Sequence, residues 1–293
     1  MADDLIPADV RHRLKQVSLV ARRAIGDRGI GAHASRSRGT GLEFAQYRAY
    51  EFGDEPRQID WKLFARSDRF FVREAERESP VVLWILVDAS ASMAQGDLNT
   101  LGRTRMTAAR TLAAALAELA LAQGDRFALA GLRDGGLALV PPGGGTRQRD
   151  AVRLALHAVH TGGGFPAADL LSPLWPRIGV RDLVVILSDW FDPACLEVAT
   201  RLSAAGREVL AVQILTVAER DFALDGGFRF RDPETGEELV GDAEALRAEF
   251  LTRFGAAQAA LDAELDRAGI RHARLVLDEP VDTPIHALFG RRG

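Results

Sequence analysis

The residues best placed by type and spacing to do chemistry are Asp88, Ser90 and Ser92, in the stretch LVDASAS from Leu86 to Ser92. An apolar run ends there in an aspartate and two serines at alternate positions. In a tight loop, alternate side chains turn to the same side, so one carboxylate and two hydroxyls could face one point. A second carboxylate, Asp189, ends another apolar run, DLVVILSD, far downstream. Oxygen donors alone suit a hard cation, Mg2+ or Mn2+ more readily than zinc. Carboxylates and neutral hydroxyls would leave such an ion partly unbalanced, and an open position would attract an acidic group from a partner. That is adhesion by shared coordination, not catalysis. Aspartate and serine are also preferred helix caps and turn formers. Taken alone, Asp-x-Ser-x-Ser leaves both readings open.

The elements around these residues must put them at one edge of a sheet. The run from Val81 to Asp88 is continuously apolar and β-branched, as in a strand buried on both faces. Helices are expected at Arg103–Gln123, Arg147–His160, Ala167–Ile178, Asp192–Gly206 and Asp242–Gly269. Strands are expected at Asp125–Leu132, Leu137–Val140, Asp182–Asp189, Glu208–Leu215 and His272–Asp278. Strands separated by helices of this length predict a mainly parallel α/β sheet with helices on both faces. Ligands of such sheets bind outside the carboxyl ends of the strands, where Asp88 and Asp189 both fall. The stretch Glu219–Asp242 holds a turn-rich RDPETGEEL and reads as a β excursion.

Upstream the pattern differs. Pro7–Ile25 has helical spacing of Val10, Leu14 and Val17, and an Arg-, Gly- and Ser-rich loop follows. From Arg11 to Arg38 there are seven arginines and one lysine against the single acid Asp27. Without interleaved aromatics this is read as a solvated face, and nucleic acid is not expected as a partner. Leu42–Ser79 alternates short aromatic runs with turns and reads as a small β-rich appendage. The expected organisation is an N-terminal helix and basic loop (1–40), the appendage (41–79), the α/β domain (80–279) with its excursion at 219–242, and a tail (280–293).

Composition narrows the function classes. Net charge is −4, and Cys195 is the only cysteine, which excludes an intrachain disulfide. No stretch reaches the roughly 20 apolar residues of a membrane span, and residues 1–16 lack the order of a secretory signal. A soluble cytoplasmic protein is the expectation. The chief alternative to a binding module is a Mg2+-dependent hydrolase or phosphoryl-transfer enzyme. DASAS lacks the second aspartate of Asp-x-Asp phosphotransferases, and no phosphate-binding-loop or nucleophile-elbow motif is present. His157 and His160 share a helix face in this reading but lack acids at ligand spacing.

The stretch LVDASASM resembles the first metal-binding loop of von Willebrand factor A-type domains. The segment Glu43–Glu74 is similar to the signature of the bacterial domain-of-unknown-function family fifty-eight, carried here by Gly53, Asp54, Arg57, Ile59, Asp60, Trp61, Ala65 and Arg66. LSDWFD and DPETGEEL fit later segments of that family. The resemblance implies a von Willebrand A-like fold and a non-enzymatic adaptor working beside a MoxR-type AAA+ ATPase on an unidentified client protein. It implies Asp88, Ser90, Ser92 and Asp189 as ligands of Mg2+ or Mn2+. One departure stands out: Phe165 or Pro166 occupies the place of the second-loop threonine; Thr161 precedes the glycines, and Asp169 is the substitute the loop offers. Asp54, Arg57, Asp60 and Arg66 are expected to form a charge network pinning the appendage, with Trp61 as its apolar anchor. A partner-binding surface is the alternative for the same residues.

Overall fold

The computed structural model describes residues 5–19, 44–50, 59–75, 82–97, 102–167, 169–222, 227–231 and 238–290. The chain divides into two compact units, Arg28–Pro80 and a larger one made of Met1–Asp27 and Val81–Gly293.

In the smaller unit, strands β1 (Phe44–Ala49) and β2 (Phe71–Ala75) pair antiparallel, and Ile59 bridges Val72. Between them lies helix α2 (Trp61–Ser67). Asp60 caps it, accepting from the Lys62 and Leu63 N–H groups at 2.9 and 3.0 Å. Those N–H groups have no intrahelical partner, so an aspartate at this position satisfies them.

The larger unit is built on a six-stranded sheet. Its strands are β3 (Val82–Asp88), β4 (Arg126–Arg133), β5 (Gly136–Gly143), β6 (Leu183–Ser188), β7 (Glu208–Leu215) and β10 (Arg271–Val276). The spatial order is β10-β7-β6-β3-β4-β5, all parallel except β5, which pairs antiparallel with β4. This is the mainly parallel α/β sheet, covered by helices, that the sequence predicts. The order runs outwards from β3 and reverses between β3 and β6, so the switch point lies where Asp88 ends one strand and Asp189 follows the other. A second hairpin, β8 (Gly227–Arg231) with β9 (Glu238–Asp242), forms a separate two-stranded sheet.

Alternate residues of each strand enter opposite cores. Leu83, Ile85 and Val87 face one with α1 (Ala8–Arg13), α3 (Arg105–Gln123), α4 (Gly145–Ala158) and α8 (Thr283–Phe289). Trp84 and Leu86 face the other with α5 (Pro193–Ala204) and the end of α7 (Ala243–Arg267). Helix α3 is rich in alanine and leucine on all sides and is buried along most of its length, as an all-round apolar helix must be. Among the described residues no helix is long and apolar enough to cross a membrane.

Three local expectations change. The N-terminal helix does not run to Ile25: it gives way to a 3-10 turn at Leu14–Gln16 and extended backbone at Val17. There the Leu19 N–H donates to Gln123 Oε1 and the Leu19 carbonyl accepts from Gln123 Nε2, at 2.6 and 3.0 Å, which requires a non-helical chain. Where a helix is expected over Ala167–Ile178, residues 169–177 form successive turns instead; Pro173 and Pro176 lack the N–H groups a helix would use. Residues 280–293, expected as a tail, contain helix α8. Pro284 stands in its first turn, where proline is tolerated.

Candidate functional site at the carboxyl end of the sheet

The parallel register of β3 and β6 aligns Val87 with Leu187, so Asp88 and Ser188 fall side by side. The Ser188 hydroxyl donates to Asp88 Oδ2 at 2.6 Å, and the Ser90 N–H donates to Asp88 Oδ1 at 2.8 Å. Ser90 Oγ and Ser92 Oγ lie 3.0 Å apart. The turn thus brings Asp88, Ser90 and Ser92 together, and all three are buried. Burial pushes the Asp88 carboxyl up to about 6, against the hydrogen bonds from Ser188 and Ser90, and the charge of Asp189 adds to the rise.

Asp189 is set by an unusual turn. Trp190 has φ of 64°, left-handed backbone that a bulky side chain rarely adopts. Two hydrogen bonds hold it: its N–H to Ser188 Oγ at 3.0 Å, and its indole N–H to the Val212 carbonyl at 3.1 Å. Asp189 Oδ1 then accepts from the Phe191 N–H, and Asp189 Oδ2 accepts from Arg105 Nη1 at 3.1 Å.

Arg105 is the residue that sequence reasoning missed. It is the first residue of α3, its side chain is fully buried, and it reaches three strand-end loops. Besides Asp189 it donates to the Ser92 carbonyl at 2.8 Å, to Gln95 Oε1 at 3.4 Å and to Glu219 Oε1. Glu219 lies in the short helix α6 (Val217–Asp221). Its other oxygen accepts from the Thr216 N–H at 2.9 Å, and Thr216 Oγ1 accepts from the Glu219 N–H, a capping box. Asp97, in the loop after β3, accepts from the Val217 and Ala218 N–H groups, each at 3.0 Å. A signal for Arg105 was present: an arginine at the first position of a mostly apolar helix sits against the helix dipole and needs a compensating anion.

The second loop contributes backbone alone to this arrangement. The Gly162 N–H donates to the Ala89 carbonyl, and the Ala91 N–H to the Gly163 carbonyl. Phe165 is core, and Asp169 is exposed and accepts from the Leu170 N–H of its own turn. His157 and His160 do not share a helix face, because α4 ends at Ala158.

The donor set does not fit a complete divalent-cation site. Both oxygens of Asp88 and of Asp189 already accept hydrogen bonds from the protein, the two serine hydroxyls are occupied with each other, and a guanidinium stands on the Asp189 side. Among the described residues no cluster of three or more His, Cys, Asp or Glu could hold a metal.

The charge network expected in the smaller unit falls partly outside the described residues. Asp54 and Arg57 lie outside them, Asp60 acts as a helix cap, and Arg66 is exposed. Trp61, expected as an apolar anchor, is 59% exposed. Its ring meets Phe64 and Phe70 edge-on, and those two stack at 4.5 Å.

The family model for Protein of unknown function DUF58 matches residues 46–260. "Uncharacterized protein Rv1480" of Mycobacterium tuberculosis is 26% identical over 235 residues, covering 79% of this chain and 70% of that protein. Among solved structures, the conserved hypothetical protein BatB of Bacteroides thetaiotaomicron aligns at 14% identity with a TM-score of 0.38, over 64% of this chain and 98% of its own. The SpRpn10 VWA domain aligns at 14% identity with a TM-score of 0.39, over 69% and 91%.

Proposed function

The chain belongs to the family Protein of unknown function DUF58, and we propose that it is a non-catalytic interaction module whose strand-end loops form a fixed docking surface. The observation that carries this reading is the tying of the loops after β3, β6 and β7 to one another through Arg105 and Asp97. Such cross-linking suits a surface that must keep its shape before a partner arrives, since ordering it on binding would cost affinity. It suits an enzyme less well. Asp88 and Ser90 are engaged with neighbouring groups of the protein, and a general base needs a free path to its proton.

The partner we propose is a MoxR-type AAA+ ATPase, acting in the cytoplasm on a client protein. Two exposed aromatic positions are the contacts we favour: Phe191, 46% exposed beside Arg105, and Trp61 in the smaller unit, flanked by exposed Lys62 and Arg66. Exposed aromatics of this kind are frequent anchors of protein interfaces.

Binding of the purified ATPase to the immobilised chain tests the proposal. Phe191→Ala and Trp61→Ala should each weaken binding about tenfold, about 1.4 kcal/mol, while leaving the melting temperature unchanged. Absence of binding, or robust Mg2+-dependent phosphate-ester turnover abolished by Asp88→Ala, would overturn it.

A further inference from the structure

Arg105 poses a problem of charge. A guanidinium is not deprotonated in proteins, and burying it is costly unless carboxylates and hydrogen-bond acceptors surround it. Its place at the first position of α3 adds the positive end of the helix dipole to that cost. The surroundings supply what is needed: Asp189, Glu219, the Ser92 carbonyl and Gln95. The Phe191 ring lies 5.1 Å from the guanidinium carbon, and Nε has no hydrogen-bond partner among the described residues.

The same residues pose the complementary problem. Asp88, Asp189 and Glu219 gather at the ends of three neighbouring parallel strands, with two buried serine hydroxyls among them. Asp189 and Glu219 meet at one guanidinium, and like charges held this near one another repel unless a cation stands between them. In a metal-dependent adhesion loop that cation is a divalent ion.

We propose that Arg105 is the resident cation of this site, taking the charge-balancing place of a divalent ion, so that the three loops assemble without metal. It is a positioning residue: it acts by fixing Asp189, Glu219 and the Ser92 backbone. Its removal would leave carboxylate and hydroxyl oxygens without their cation, donors of the type that favours Mn2+ or Mg2+. The inference refines the docking surface proposed above. Its test reads the chain alone, so its failure and that of the ATPase proposal are separate results.

The experiment compares thermal melts of wild type, Arg105→Met and Arg105→Met/Glu219→Gln, with chelator and with millimolar Mn2+, and follows the electron paramagnetic resonance signal of free Mn2+. A ligand bound by the native state alone raises its melting temperature. Wild type should melt at the same temperature in both conditions and leave the Mn2+ signal unchanged. The variants should melt several degrees higher with Mn2+ than with chelator and quench the signal at one ion per chain. The double variant removes the excess carboxylate and so tests the site where the single variant fails to fold. Stoichiometric Mn2+ binding by wild type overturns the proposal, as do folded variants that ignore Mn2+. Should neither variant fold, the wild-type signal decides alone.

Discussion

Aspartate is buried at both ends of the central sheet, and the two ends accommodate it by different means. At the amino end, Asp182 accepts from three neutral donors: the Trp84 indole N–H at 3.0 Å, the Gly179 N–H at 2.7 Å and the Val82 N–H at 3.3 Å. These bonds tie β3 to the turn that enters β6. At the carboxyl end, Asp88 also takes neutral donors, but Asp189 and Glu219 share a buried guanidinium. One carboxylate can be carried by oriented N–H groups. Several at one place need a cation. The amino end is therefore a structural joint, and the carboxyl end keeps a charge excess that needs Arg105.

The largest expected effect breaks that contrast at the carboxyl end. Arg105→Met should destabilise the chain by about 3–5 kcal/mol in the presence of chelator, because it leaves carboxylates buried and unpaired. Denaturant unfolding would show it as a lower midpoint, and adding Asp189→Asn should recover part of the loss.

At the amino end, Asp182→Ala should cost about 2–4 kcal/mol, since three donors lose their acceptor. Asp182→Asn should cost less than half of that, because an amide oxygen can still accept. Neither loss should be relieved by divalent metal, in contrast to Arg105→Met.

A smaller effect sharpens the comparison with a partly solvated pair. Asp282 accepts from Arg13 at 2.6 and 2.8 Å, and this contact holds its carboxyl below the usual carboxylate range. A depressed folded-state value means stability present above the unfolded value, about 3.9, and lost as pH falls through the folded one. Arg13 is 40% exposed, so solvent screening limits the gain. Asp282→Asn should cost about 1 kcal/mol at pH 7, with the difference closing in acid, as read by urea unfolding at both pH values.

Much of the sheet was legible because its strands are continuous apolar runs. The strand Val81–Asp88 lies within one residue of its expected limits, and the hairpin Glu219–Asp242 appears as β8 and β9. The convergence of Asp88, Ser90 and Ser92 was legible from alternate spacing in a tight turn. Ser188 was not, because its contact with Asp88 depends on the register between strands distant in sequence. Arg105 was hidden for a related reason: it is 84 positions from Asp189 and 114 from Glu219. The helix expected over Ala167–Ile178 overlooks Pro173 and Pro176, whose missing N–H groups break it. Helix α8 has seven residues, too few to show helical periodicity in a segment expected as a tail.

A double-mutant cycle between Arg105→Met and Asp189→Asn, measured by urea unfolding in chelator, tests the central claim most directly. If Arg105 is the cation that balances the carboxyl end, the two positions should be coupled by about 2–3 kcal/mol, near the upper limit for contacting residues. Additive losses, with coupling below about 0.5 kcal/mol, would contradict it.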